Sequence, residues 1–212
     1  MRASLTALLL LLAACSQVPV QPAAAPASPP VPAHPLVKIE TNYGDITVQL
    51  DGIRAPLSVK DFLAYVTEHY YDGAAFYRVI PGFVIQAGEF SPDFDYRKPS
   101  HPDIPNESGN GLVNQRGSIA MAREDYPHSA NSVFYINVGD NSQRLGPRPD
   151  RWGYAVFGQV VSGMEVVDKI AAVPTHTVTL TDKDHSTFEN VPVQPVKIIE
   201  VTLLSMPGDA KP

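Results

Sequence analysis

The chain has 212 residues, of which 44% are hydrophobic and 18% charged, a balance that fits one globular domain with a sizeable core. Its net charge of -6 and the lack of any block of Lys or Arg exclude a nucleic-acid partner, because phosphate binding needs a basic footprint. The single cysteine, Cys15, excludes an intramolecular disulfide, and no Cys and His spacing suits zinc, so neither metal nor cofactor is expected.

Arg2 precedes an apolar run from Leu5 to Leu12, too short to span a bilayer and suited to a signal-peptide core. The run ends in Leu12-Ala13-Ala14-Cys15, which resembles a bacterial lipobox. On that resemblance residues 1–14 are a lipoprotein signal peptide, removed to leave Cys15 lipidated on its thiol and its amine by acyl chains such as palmitate. The alternative is an ordinary secretory signal, but the only cysteine lies where lipid attachment needs it. Several acyl chains at one residue anchor durably where one is marginal. Ser16, standing where an Asp would mark inner-membrane retention, resembles an outer-membrane sorting signal. Ser16 to Pro35 hold seven prolines, five alanines and no charged side chain, which favours an extended tether over a fold. At about 3.1 Å per residue, the segment 15–35 reaches roughly 60 Å. The expected address is the bacterial envelope, with a lipid-anchored domain facing the periplasm.

From Leu36 the pattern changes to period two. Val37, Ile39 and Thr41, the turn Asn42-Tyr43-Gly44-Asp45, then Ile46, Val48 and Leu50 predict a β-hairpin. Ser58-x-x-Asp61 resembles a capping box, and Val59, Phe62, Leu63 and Val66 predict an amphipathic helix ending near Gly73. Short strands are expected at Phe76–Arg78, Val84–Glu89, Gly117–Ala122, Val133–Asn137 and Tyr154–Val160, a second helix near Gly163–Ala171 and a last strand at Val196–Leu204. The domain is expected over 36–206, with a tail at 207–212. Residues 91–116 and 139–153 are long irregular stretches of the kind that border binding sites. The region from His176 to His185 reads as a polar loop, and Tyr43, Tyr65, Tyr70 and Tyr71 as packing residues.

Many short strands without β-α-β alternation favour an antiparallel barrel. The run Phe76-Tyr77-Arg78-Val79-Ile80-Pro81-Gly82-Phe83-Val84-Ile85-Gln86-Ala87-Gly88-Glu89-Phe90 resembles the active-site segment of the cyclophilins, the peptidyl-prolyl cis/trans isomerases. Gly117–Ala122 and Tyr154–Val160 recur in the family's order, so that the resemblance runs from about Val37 to Leu204. It implies a mainly β fold, a closed eight-stranded antiparallel barrel capped by two helices, acting as a monomer on unfolded or proline-containing polypeptides. Arg78 and Gln86 are implied as the catalytic pair. Phe83, Val84, Ala122, Arg123, Tyr135, Leu145 and Tyr154 are implied as the substrate groove. The competing roles are a surface arginine for Arg78, core packing for Phe83 and Tyr135, and satisfaction of backbone groups for Gln86.

Some positions depart from the family's pattern. Val133 replaces a frequent Gln, Tyr135 a pocket Phe, and Asn141-Ser142-Gln143-Arg144-Leu145 lacks the pocket aromatic, often Trp, on which the inhibitor cyclosporin depends in sensitive members. Trp152 is expected to pack near the barrel rather than replace it. These departures leave a second implied function open, a proline-binding chaperone or interaction module with weak turnover.

Overall fold

The computed structural model describes residues 31–180 and 186–205. The expected signal peptide, Cys15, most of the tether, the 207–212 tail, and Asp182, Asp184 and His185 lie outside the described residues.

Strands β1 (Leu36–Thr41) and β2 (Gly44–Leu50) form the predicted hairpin, whose period-two pattern buries Val37, Ile39, Ile46, Val48 and Leu50 completely. The Thr41 hydroxyl closes the turn, accepting the Tyr43 N–H at 3.0 Å and donating to the Gly44 carbonyl at 2.7 Å. The end of the expected tether runs beside this layer, where the N–H groups of Leu50 and Gly52 donate to the carbonyls of Pro35 and Ala33, both at 2.9 Å.

Helix α1 (Pro56–Thr67) buries Val59, Phe62, Tyr65 and Val66. Its start differs from the capping box expected at Ser58 and Asp61. Ala55 is the N-cap and Pro56 opens the helix with its φ already set, so Ser58 lies inside the first turn. The free N–H groups are met from far along the chain. Glu107 accepts from the N–H of Leu57 (2.9 Å), the N–H of Ser58 (2.8 Å) and the Ser58 hydroxyl (2.6 Å). The helix also stops well before Gly73, with His69 in the left-handed region at φ 56°.

The remaining strands are β3 (Phe76–Ile80), β4 (Val84–Ala87), β5 (Ser118–Met121), β6 (Phe134–Asn137), β7 (Val156–Ser162), β8 (Thr175–Thr179), β9 (Thr187–Pro192) and β10 (Ile198–Ser205). Two further helices are α2 (Ser142–Leu145) and α3 (Met164–Ala171). Eight strands form one antiparallel sheet in the order β10-β1-β2-β7-β5-β6-β4-β3. The sheet is mainly β and eight-stranded as expected, but it is a half-barrel and not a closed one. Its edge strands β3 and β10 do not pair along their length. The chain joins them just before each begins, through the bridge Ala75–Lys197 and the bonds Phe76 N–H to Val196 O (2.9 Å) and Ile198 N–H to Ala74 O (2.8 Å).

Side chains fill the interior, with Phe62 against Phe134 (5.4 Å between centroids) and Phe157 (5.2 Å). A smaller apolar cluster of Val84, Ala120, Tyr135 and Val156 lies on the opposite face of the same strands, because successive residues point to opposite sides. Of the stretch read as a polar loop, His176 to Thr179 instead lie in β8, which pairs with β9 as a separate ribbon. Phe188 of β9 holds it to the domain, packing on Phe90 (5.0 Å) and Phe94 (5.2 Å).

Candidate active site

A β-bulge prepares the site. Phe76 pairs with Ala87 and Arg78 with Gln86, so Tyr77 is the extra residue of β3. Phe76 and Val79 remain in the core while both Tyr77 and Arg78 line the outer cavity. Gly88 closes the motif for a steric reason: its φ is +111°, and a Cβ there would lie 2.3 Å from the Ser132 carbonyl oxygen.

Arg78, Gln86, Phe83 and Tyr135 line one open cavity of about 380 Å³. Val84, Ala122, Arg123, Leu145 and Tyr154 also line it, so every groove residue expected from sequence is brought together. The Arg78 guanidinium donates to Gln86 Oε1 at 3.1 Å. Beside this polar corner the walls are the apolar cluster on the outer face of β4 to β7. The Arg78 cation thus stands beside apolar walls, with Arg123 as a second cation on the lining.

The walls are fixed from behind by buried amides. The Tyr135 hydroxyl donates to Asn114 Oδ1 (2.8 Å), which also accepts from Asn137 Nδ2 (3.1 Å). Asn141 Nδ2 donates to Asn137 Oδ1 (2.7 Å) and to the Phe83 carbonyl (2.8 Å). Burial holds the Tyr135 phenol well above its usual pKa, hence neutral and able to donate. The extra hydroxyl of Tyr135 is therefore satisfied behind the ring, which can remain an apolar wall.

The rim carries two cation–π contacts. Arg144 stands 4.3 Å above the Phe83 centroid, and Arg123 stands 4.7 Å above Tyr154 while donating to the Trp152 carbonyl at 3.0 Å. Arg123 therefore braces residues 152–154 with its side chain. The Ala122 N–H is committed to the Val133 carbonyl at 2.9 Å.

Val133 lies in a neighbouring cavity of about 120 Å³, bounded by Gln86, Glu89, Tyr96 and Glu124. Trp152 is outside the larger cavity and packs edge-on against His128 at 5.2 Å. Among the described residues His69, Asp72 and Glu200 bring possible ligand atoms within 4.8 Å. Asp72 already accepts from His69 (3.0 Å) and the Val201 N–H (3.2 Å).

Sequence reasoning missed Tyr77 and Phe188 as lining residues, and Asn114, Asn137 and Asn141 as supports. The β-branched Thr and Val of 175–179 were the available signal for the ribbon that carries Phe188. The asparagines gave none, since Asn114 meets Tyr135 and Asn137, and Asn141 meets Phe83, only across long stretches of chain.

A family model described as cyclophilin type peptidyl-prolyl cis-trans isomerase/CLD matches residues 36–203. A peptidyl-prolyl cis-trans isomerase of Acinetobacter baylyi is 47% identical over 174 residues, covering 82% of this chain and 88% of its own length. Peptidyl-prolyl cis-trans isomerase B of Escherichia coli is 47% identical over 142 residues, covering 66% of this chain and 86% of its own. A cyclophilin type peptidyl-prolyl cis-trans isomerase of Cryptosporidium parvum, crystallised in the presence of the dipeptide Ala-Pro, superposes with a TM-score of 0.65 at 27% identity, covering 80% of this chain and 99% of that one.

Proposed function

The chain belongs to the cyclophilin-type peptidyl-prolyl cis-trans isomerases, and we propose that its catalytic centre is the cavity shared by Arg78, Gln86, Phe83 and Tyr135. The observation that carries this reading is the pairing of one positioned guanidinium with an apolar hollow in a single cavity. Rotation about an Xaa-Pro bond must break amide resonance, at a barrier of ~18–20 kcal/mol. No nucleophile is needed. The enzyme has only to bind the twisted imide better than either planar form. Twisting returns a lone pair to the proline nitrogen, and a guanidinium N–H of Arg78 donates to it; in the planar imide there is little for that donor to bind. Phe83, Tyr135 and Leu145 hold the proline ring. Gln86 and the Ala122 carbonyl hold the adjoining peptide.

Arg78→Ala tests this directly. The variant should lose roughly a hundredfold in kcat on a short Xaa-Pro peptide, with KM changed little, because the donor is used mainly in the twisted state. Wild-type kcat in a folded variant would remove Arg78 from the mechanism, whereas a wild-type protein that binds Xaa-Pro peptides with negligible turnover would favour a binding module built on the same groove.

The substrates in this reading are exposed Xaa-Pro bonds of unfolded or slowly folding envelope proteins, and the supporting feature is the lipobox-like Leu12-Ala13-Ala14-Cys15. Labelled palmitate should be incorporated at Cys15, and Cys15→Ser should release the protein from membranes with its isomerase activity intact. Unmodified Cys15 in a freely soluble periplasmic protein would overturn the anchor.

A further inference from the structure

The Arg78–Gln86 contact is the end of a longer chain of hydrogen bonds. Gln86 Nε2 donates to the Tyr77 hydroxyl at 2.5 Å, and that hydroxyl donates to Glu89 Oε2 at 2.8 Å. Its direction is forced from both ends. A guanidinium can only donate and a carboxylate can only accept, so the Gln86 carbonyl must face Arg78 and its amide must face Tyr77. Tyr77 and Glu89 reinforce the amide orientation that the guanidinium requires, because the carboxylate takes the Tyr77 proton and leaves that hydroxyl to accept from the Gln86 NH2 group.

The fold has placed these groups together by unusual means. The bulge in β3 brings Tyr77 and Arg78, consecutive residues, to the same outer face as Gln86. Tyr77 is 4% exposed, with its ring edge-on to Phe90 at 5.1 Å, so its hydroxyl has little freedom to turn elsewhere. Glu89 lines the neighbouring cavity, and Gln86, with Ala122 and Arg123, lines both.

We infer that Tyr77 and Glu89 are positioning residues for catalysis, acting through Gln86 to hold the Arg78 guanidinium at the imide nitrogen. The inference rests on the role given to Arg78 above. Hydrogen bonds aligned head to tail also strengthen one another, so loss at the Glu89 end reaches Arg78 without any contact between Glu89 and the peptide.

The test is a double-mutant cycle read as kcat and KM for cis/trans exchange of a short Xaa-Pro peptide, with thermal midpoints to confirm folding. Tyr77→Phe and Glu89→Leu should each lower kcat roughly fivefold, the factor that one typical hydrogen bond is worth, with KM held within about twofold. Either substitution added to Arg78→Ala should cause no further loss, because its effect runs through the arginine. A wild-type kcat in both folded single variants would overturn the relay, as would losses that add in full to that of Arg78→Ala. A wild-type kcat in Arg78→Ala itself is a different result, overturning the assignment of Arg78 and the relay with it.

Discussion

Arg144 shows how one side chain changes what a groove accepts. Its guanidinium lies 4.3 Å from the centroid of Phe83, on the segment where the family's pattern implies a pocket aromatic, and Gln143 beside it is exposed. A cation over a ring keeps its hydration on the other side, whereas an aromatic offers a broad dry contact at low entropic cost. Cyclosporin, which depends on that aromatic in sensitive members, should therefore bind the wild-type protein weakly while short Xaa-Pro peptides are still turned over. Arg144→Trp should strengthen cyclosporin binding by about 2 kcal/mol, the usual weight of an aromatic at a binding centre, as measured by calorimetry. Tight inhibition of the wild-type protein, or no gain in the variant, would show that another side chain closes the pocket.

At the scale of elements, legibility followed the range of the forces involved. The β1–β2 hairpin was visible because local alternation decides which side chains are buried, and the outer residues of β3 and β4 because one short run carries the family resemblance. The start of α1 was not. Ser58 and Asp61 have the spacing of a local cap, but the carboxylate that meets the Leu57 and Ser58 N–H groups is Glu107, an interaction that only the folded chain brings about. The ribbon β8–β9 was missed for a related reason. Of its residues only Val191 and Pro192 are buried and it pairs only with itself, so it lacks the alternating buried face that makes a strand readable. The site was legible further than its supports were. Arg78, Phe83 and Gln86 stand in one short run, while Tyr135 depends on Asn114, an amide that no periodicity marks. The bulge at Tyr77 was hidden as well, because it is set by the register of β3 against β4.

The stability of the whole domain should carry the mark of one buried acid. Asp61, 7% exposed on the inner side of α1, has an Oδ2 without a hydrogen-bond partner among the described residues. Burial raises its pKa from the ordinary 3.8 to about 7, with Asp103 and Glu68 adding to the rise and His101 opposing it. Because the folded value lies above the unfolded one, the folded protein binds the extra proton between these limits. The contribution of Asp61 is therefore fully present below pH of about 4 and lost as pH rises through about 7. Asp61→Asn, which cannot ionise, isolates this contribution from every other titrating group. The difference in unfolding free energy, wild type minus variant, should fall steadily from acid to neutral pH and level off above about 8, as read from urea midpoints. A difference that stays constant across that range would mean that Asp61 is solvated or paired in solution, and that α1 carries no buried charge.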